Sequence, residues 1–149
     1  MDIKGIKKLS DGKLKELIKC TGYYNQKTEL LKIITKWFSE LNNIPSRHEL
    51  LSIKGIGPET ADSILLYAFK QPYFVIDTYT RTIFKRLGLL KGKETYDEIQ
   101  QLFHKNLASD FKLYNEYHAL IVEHAKIYCL KKPKCDGCCL KDDCKFKHP

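Results

Sequence analysis

The segment Leu51-Ser-Ile-Lys-Gly-Ile-Gly-Pro-Glu-Thr-Ala61 constrains this chain more than any other stretch. Gly55 and Gly57 flank a single apolar residue, Ile56, and a proline follows. Glycine lets a backbone turn sharply through positive φ with no Cβ in the way. Pro58 suits the first turn of a helix, where its missing N–H leaves no bond unmade. The segment therefore reads as a helix, a tight hairpin and a second helix. Consecutive N–H groups of such a turn point outward. The free N–H groups and positive dipole end of the second helix point the same way. A phosphate fits that surface, with Ile56 turned into the core between the helices. A plain helix–helix connection also favours glycine, so the hairpin by itself leaves both readings open.

The rest of the chain follows the same grammar. Strand-like alternation is absent, and Gly and Pro fall between periodic segments rather than inside them, so the fold class is all-α. A first helix is expected from about Asp11 to Cys20, ending at Gly22. A longer one runs from about Asn25 to Leu41. Its Leu30, Ile33, Ile34, Trp37, Phe38 and Leu41 recur at three- and four-residue steps and form one buried stripe. Pro45 blocks its continuation. Ser46 and Glu49 have capping-box form, as do Thr95 and Glu98. The helix after Pro58 is expected to carry Ala61, Ile64, Leu65, Ala68 and Phe69 inward. Asp77 is placed to cap a helix that runs to Leu87 and stops at Gly88. A last long helix, from about Asp110 to Tyr128, leads into a run of cysteines. This divides the chain into a helical domain, 1–109, holding the hairpin at 46–70 and the Asp77 loop, and a C-terminal helix with its cysteine loop, 110–149.

At 149 residues the chain is one domain, or one small domain with an appendage. The formal net charge of +8 suits a polyanion, either nucleic acid or an anionic membrane surface. Nearly all of that charge is lysine, a bias that composition alone also produces. No apolar run is long enough to span a bilayer, and Met1-Asp2-Ile3-Lys4 opens no secretory leader. These features point to a reducing, cytoplasmic setting with no membrane, where cysteines argue for metal more than for disulfides. Cys129, Cys135, Cys138 and Cys144 are separated by five, two and five residues. Four thiolates on one short loop suit a cubane 4Fe–4S cluster. A structural zinc site more often uses two close pairs, and here only Cys135 and Cys138 form one. Cys139 is an alternative ligand or a spare thiol, and Cys20 a small core residue. His118 and His124, six apart on one helix, do not share a face as an i, i+4 pair would, and read as packing or surface residues.

Leu51 to Gly57, Thr60-Ala61 and Val75-Ile76-Asp77-Thr78 together resemble the helix-hairpin-helix and Gly/Pro-rich-loop–Asp signature of the endonuclease III superfamily of DNA glycosylases. Gly22-Tyr-Tyr-Asn-Gln-Lys27 resembles the Tyr-Asn-x-Lys element of that family. The cysteine tail resembles its iron–sulfur loop, one residue shorter in the first gap. The resemblance runs from about Asp11 to Cys144. It implies a helix-hairpin-helix glycosylase fold, here a partial helical barrel, a nucleoid-associated location, and a base-excision activity on double-stranded DNA with the damaged base flipped out. It implies that Asp77 is the catalytic carboxylate. Breaking a base–sugar bond builds positive charge on the deoxyribose, and a fixed carboxylate stabilises that charge and can take a proton from an incoming water. Asp77 as a plain helix cap is the bland alternative, and both can hold. The resemblance further implies DNA contact by Gly55, Ile56, Gly57 and Thr60, which positions the protein without reading sequence. Lys131, Lys132 and Lys134 would meet phosphate from the cysteine loop, a solvated basic turn being the alternative.

Members that also cut the strand carry a lysine on the second hairpin helix, whose amine forms a Schiff base with the sugar. The matching position here is Glu59, which cannot form an imine. This departure implies a monofunctional enzyme with water as nucleophile. The Gly-Pro-Glu-Thr-Ala-Asp-Ser run looks most like the branch that removes alkylated purines. Tyr67, Tyr73 and Tyr79 lie near the motif, where they can stack on a flipped base or serve as core residues. The family usually has further helices ahead of the region where Met1 falls. Their absence would leave an apolar patch for a partner chain or a second copy of this one. Two alternatives therefore stand beside the first reading: a non-catalytic DNA-binding module or subunit that needs such a partner, and a bifunctional glycosylase–lyase that uses another lysine.

Overall fold

The computed structural model describes residues 3–146. Among them the secondary structure is helical, with no strand. The backbone divides into two compact units, Met1–Gly57 and Pro58–Pro149.

The first unit holds α1 (Ile3–Lys8), α2 (Asp11–Ile18), α3 (Tyr24–Glu40) and α4 (Arg47–Leu51). The Ser10 hydroxyl accepts from the Lys13 N–H and starts α2. A 3-10 turn, Lys19–Thr21, ends it at Gly22, whose φ of +66° is open to glycine. The long helix α3 packs on α1 and α2, and Lys32 Nζ ties it to the Leu9 carbonyl. Its expected stripe, Leu30 to Leu41, is half-buried rather than buried; the buried side chains of α3 are Thr28 and Thr35. Within this unit α3 meets short helices, of six and eight residues, that cannot cover a 17-residue cylinder. The helix α1 was not anticipated, because Gly5 interrupts a segment too short to show a period. Ser46 and Glu49 form the expected capping box at the start of α4.

The second unit holds α5 (Pro58–Ser63), α6 (Thr78–Arg86), α7 (Tyr96–Asn106) and α8 (Phe111–Ile127), followed by the cysteine loop. The expected division at 109/110 separates α7 from α8 inside this unit. Between α5 and Phe69 the chain makes a π-helical turn, Ile64–Ala68. The Phe69 N–H bonds the Ile64 carbonyl at 3.3 Å and the Gln71 N–H bonds that of Leu65 at 2.9 Å. A π turn fits one extra residue into a helical turn and slips the phase of the buried face. Leu65 and Leu66 are buried as a result, while Ala68, expected inward, is exposed and Ile64 and Phe69 are half-buried. Phe74 has no exposed surface. It stacks on Phe103 at 3.9 Å and meets Tyr114 edge-on at 5.4 Å, so one ring joins the segment before α6 to both α7 and α8.

Candidate active site

Asp77 follows the buried run Phe74-Val75-Ile76, which fixes where its backbone lies. Its Oδ1 accepts the Thr80 N–H at 2.7 Å and the Thr80 hydroxyl at 2.9 Å, so it caps α6 as expected. The cap occupies one carboxylate oxygen and leaves Oδ2 to face elsewhere. The side chain is 14% exposed. Burial pulls its carboxyl upward, but the His118 ring and the Thr80 N–H and hydroxyl outweigh burial and hold it below the ordinary aspartate value.

The segment leading to Asp77 is held by its backbone. The Phe74 N–H donates to His104 Nε2 at 3.1 Å, and the Ile76 N–H to the Tyr96 hydroxyl at 3.3 Å. The Phe74 carbonyl accepts from Gln100 Nε2 at 2.8 Å, and the same amide donates to Asp62 Oδ2 at 2.7 Å. Tyr96, Gln100 and His104 recur at four-residue steps and form one polar edge of α7. Sequence reasoning passed over this edge, although three polar side chains at helical spacing beside Ile99 and Phe103 were the available signal.

His118 was expected to be a packing or surface residue. It is buried on the inner face of α8 with Tyr114, Ile121 and Ala125, and so faces Asp77. Its Nε2 stands 3.5 Å from Asp77 Oδ2, and its Nδ1 lies 2.6 Å from the Tyr67 hydroxyl. The spacing of Tyr114, His118, Ile121 and Ala125 puts a histidine in an apolar stripe, which was the clue. Of the three tyrosines considered as base-stacking candidates, Tyr67 is thus committed to His118. Tyr79 is 39% exposed, and Tyr73 lies edge-on to His104 at 6.5 Å.

In the hairpin Gly55 and Gly57 are exposed and Ile56 is buried. The expectation of three outward N–H groups needs correction: the Ile56 N–H donates to the Ile53 carbonyl at 3.0 Å and closes the turn. Gly55 takes φ +86°, but Gly57 is not left-handed. A Cβ on Gly55 would sit 3.1 Å from Leu30 Cδ1, whereas one on Gly57 would meet nothing within 4 Å. Gly55→Ala should therefore cost about 1–3 kcal/mol in denaturant unfolding, through the left-handed backbone. Gly57→Ala should leave stability unchanged, and weaken duplex binding about tenfold if its Cβ keeps a phosphate from the retained N–H. Thr60 is exposed on α5, and Glu59 is exposed in its first turn. Tyr23, not singled out from sequence, is 82% exposed on left-handed backbone (φ +48°), a strained setting that clusters at binding sites.

All four expected metal-ligand cysteines are free thiols and half-buried, and Lys131, Lys132 and Lys134 are exposed between them. Among the described residues no three His, Cys, Asp or Glu groups converge on a point that would hold a single ion. Burial raises the Cys135 thiol, and the charges of Cys138, Cys144 and Cys129 raise it further against Arg86. Arg86 donates to Cys129 Sγ at 3.0 Å and to the Cys129 and Leu130 carbonyls at 3.0 and 2.9 Å. By their chemistry, four cysteines on one loop are the donor set a cubane takes, since a cubane spreads its cysteine ligands over several iron atoms. Cys139 is exposed, 4.0 Å from His124 Nδ1, and Cys138 Sγ is 3.5 Å from His124 Nε2. No helix among the described residues is long and apolar enough to cross a membrane.

Residues 1–109 match the model of the HhH-GPD superfamily base excision DNA repair protein family. A protein of Methanocaldococcus jannaschii named as a DNA repair glycosylase is 48% identical, over 93% of this chain and 69% of its own length. Endonuclease III of Sulfolobus acidocaldarius is 34% identical, over 88% of this chain and 61% of its own. This chain thus spans about two thirds of such relatives. The fold is that of a trapped endonuclease III–DNA covalent intermediate, with a TM-score of 0.83 at 21% identity, over 96% of this chain and 68% of that one. A 3-methyladenine DNA glycosylase of H. pylori bound to 1,N6-ethenoadenine superposes with a TM-score of 0.71 at 32% identity, over 83% of this chain and 66% of that one. With its hairpin, its capped aspartate and these likenesses, the chain belongs to the HhH-GPD superfamily of base excision DNA repair proteins.

Proposed function

We propose that this chain is the catalytic part of a monofunctional DNA glycosylase that removes alkylated purines from duplex DNA. The observation that carries the reading is Asp77: a carboxylate pinned by its own helix cap, mostly buried, and held in the ionised form. In the reaction the C1′–N bond breaks and the base leaves with the bonding electrons. An N-alkylated purine already carries positive charge, so it departs neutral. The sugar is left as a cation, which the Asp77 charge stabilises in a site of low effective dielectric. Water then adds its oxygen to C1′ and gives its proton to Asp77.

Glu59 supports water as the nucleophile, since a carboxylate there cannot form an imine. The preference for alkylated purines draws on the Gly-Pro-Glu-Thr hairpin helix and on the likeness to the H. pylori 3-methyladenine glycosylase. Gly55 and Gly57 would hold phosphate through their N–H groups, with Thr60, Lys131, Lys132 and Lys134 adding contacts to the backbone. Base release from methylated duplex DNA tests the activity. Expected are free alkylpurine, intact strands and no borohydride-trapped adduct on abasic DNA. A trapped adduct would establish a lyase, and salt-dependent duplex binding without base release would mark a non-catalytic module.

Cys129, Cys135, Cys138 and Cys144 would hold a 4Fe–4S cluster. Bound there, it would brace the loop that carries the three lysines. Iron and acid-labile sulfide are expected at roughly four each per chain. Cys135→Ser should lower both and weaken duplex binding. An iron-free protein that binds duplex with full affinity would refute the assignment.

A further inference from the structure

The reaction above makes no use of His118, yet its side chain is only 11% exposed and lies against the Asp77 carboxylate. Its Nε2 has no formed hydrogen bond among the described residues, a condition that buried polar atoms rarely keep without cause. The other nitrogen does have a partner, the Tyr67 hydroxyl at 2.6 Å. Burial and the Asp77 charge push the Tyr67 phenol above its ordinary value, so it keeps its proton and can donate it. A neutral imidazole that accepts at Nδ1 carries its hydrogen on Nε2. That hydrogen then faces Asp77 Oδ2. The ring is fixed by its place in the inner stripe of α8 and by the edge of Phe74, with centroids 6.4 Å apart. Tyr67 sits in the π turn, the kind of helical irregularity that often marks functional sites.

We propose that Tyr67 and His118 are positioning residues that act through Asp77: Tyr67 sets the His118 tautomer, and His118 Nε2–H orients carboxylate oxygen Oδ2. Thr80 holds one oxygen of the carboxylate and His118 faces the other, so a bond from Nε2–H would constrain the group at both ends. The 3.5 Å gap is wider than a formed hydrogen bond. Catalytic hydrogen bonds are often long in the free enzyme and tighten once substrate is bound. This proposal rests on Asp77 being the catalytic carboxylate, and its test separates the two claims.

The test compares wild type with Asp77→Asn, Tyr67→Phe, His118→Phe and His118→Gln. It measures single-turnover base release from methylated duplex DNA, affinity for the same duplex, and the His118 tautomer by long-range 1H–15N NMR. His118→Phe should slow release about 10- to 100-fold, the worth of one hydrogen bond to a charged group, with duplex affinity unchanged. His118→Gln should recover most of the rate, because its amide N–H reaches the place of Nε2–H. Tyr67→Phe should turn a single Nε2–H tautomer into a mixture, slow release to a lesser extent, and add nothing in the His118→Gln background. Wild-type release by His118→Phe, or a proton on Nδ1 in the wild type, overturns the relay while an inactive Asp77→Asn keeps the underlying reading. Full release by Asp77→Asn overturns that reading and the relay with it. Should His118→Phe not fold, the NMR tautomer and Tyr67→Phe decide.

Discussion

Asp77→Asn is expected to leave a folded protein whose base release falls by about 10²–10⁴-fold, the span over which positioned acid–base groups contribute. The structural cost should be small. The cap needs an oxygen that accepts the Thr80 N–H, and asparagine supplies one and is as good an N-cap as aspartate. What disappears is the charge, together with the acceptor oxygen that faces His118 Nε2. A neutral amide neither stabilises a sugar cation nor takes a proton from water, and the mostly buried setting makes that loss larger than it would be in bulk solvent. The ionisation of Asp77 adds a signature in pH. Its carboxyl is held below the ordinary value, so it stays charged as pH falls through about 3.9 and protonates only lower. The stability it contributes is present above the unfolded-state pKa and is lost as pH falls through the lower folded-state value. The acid limb of kcat/KM should accordingly lie below the range of a free aspartate, and should vanish in Asp77→Asn. Thermal melting alongside single-turnover kinetics distinguishes the chemical effect from unfolding. An Asn variant with wild-type release would remove Asp77 from the reaction.

What the sequence made legible were the features encoded within a few residues. The capping boxes at Ser46 and Thr95 and the cap at Asp77 each depend on a side chain and a backbone group close in the chain, the glycine after α6 on its own positive φ, and each forms as expected. Features that depend on partners far along the chain were not legible. The pairing of His118 with Asp77 joins residues 41 positions apart, and periodicity could say which face of α8 is buried but not what that face meets. The π turn was hidden for a different reason: Ile64 to Phe69 is apolar enough to suit either phase, and packing chose Leu66 over Ala68. The hairpin was half legible. Glycine at position 55 answers a left-handed φ, while Gly57 answers no demand of the chain's own backbone or packing.

Gln100→Leu is expected to cost about 2–5 kcal/mol and to loosen the segment that carries Asp77. One buried amide group supplies hydrogen bonds to two acceptors, the Asp62 carboxylate and the Phe74 carbonyl. Leucine fills a similar volume but donates nothing, and each buried acceptor left without that bond costs about 1–3 kcal/mol, more where it is charged. Against a total stability of about 5–15 kcal/mol this is a large share. The damage should be local before it is global. Phe74 and Ile76 are the residues whose N–H groups bond His104 and Tyr96, so their amides should exchange faster while those of α8 hold. Base release should fall along with this protection, because a carboxylate is useful only where its backbone holds it. Replacing Asp62 and Gln100 together by leucine should cost less than the sum of the single changes, since the two lose one shared bond. Strict additivity, or a Gln100→Leu protein with wild-type unfolding midpoint and wild-type exchange at Phe74 and Ile76, would mean that the polar edge of α7 does not hold the active-site segment in place.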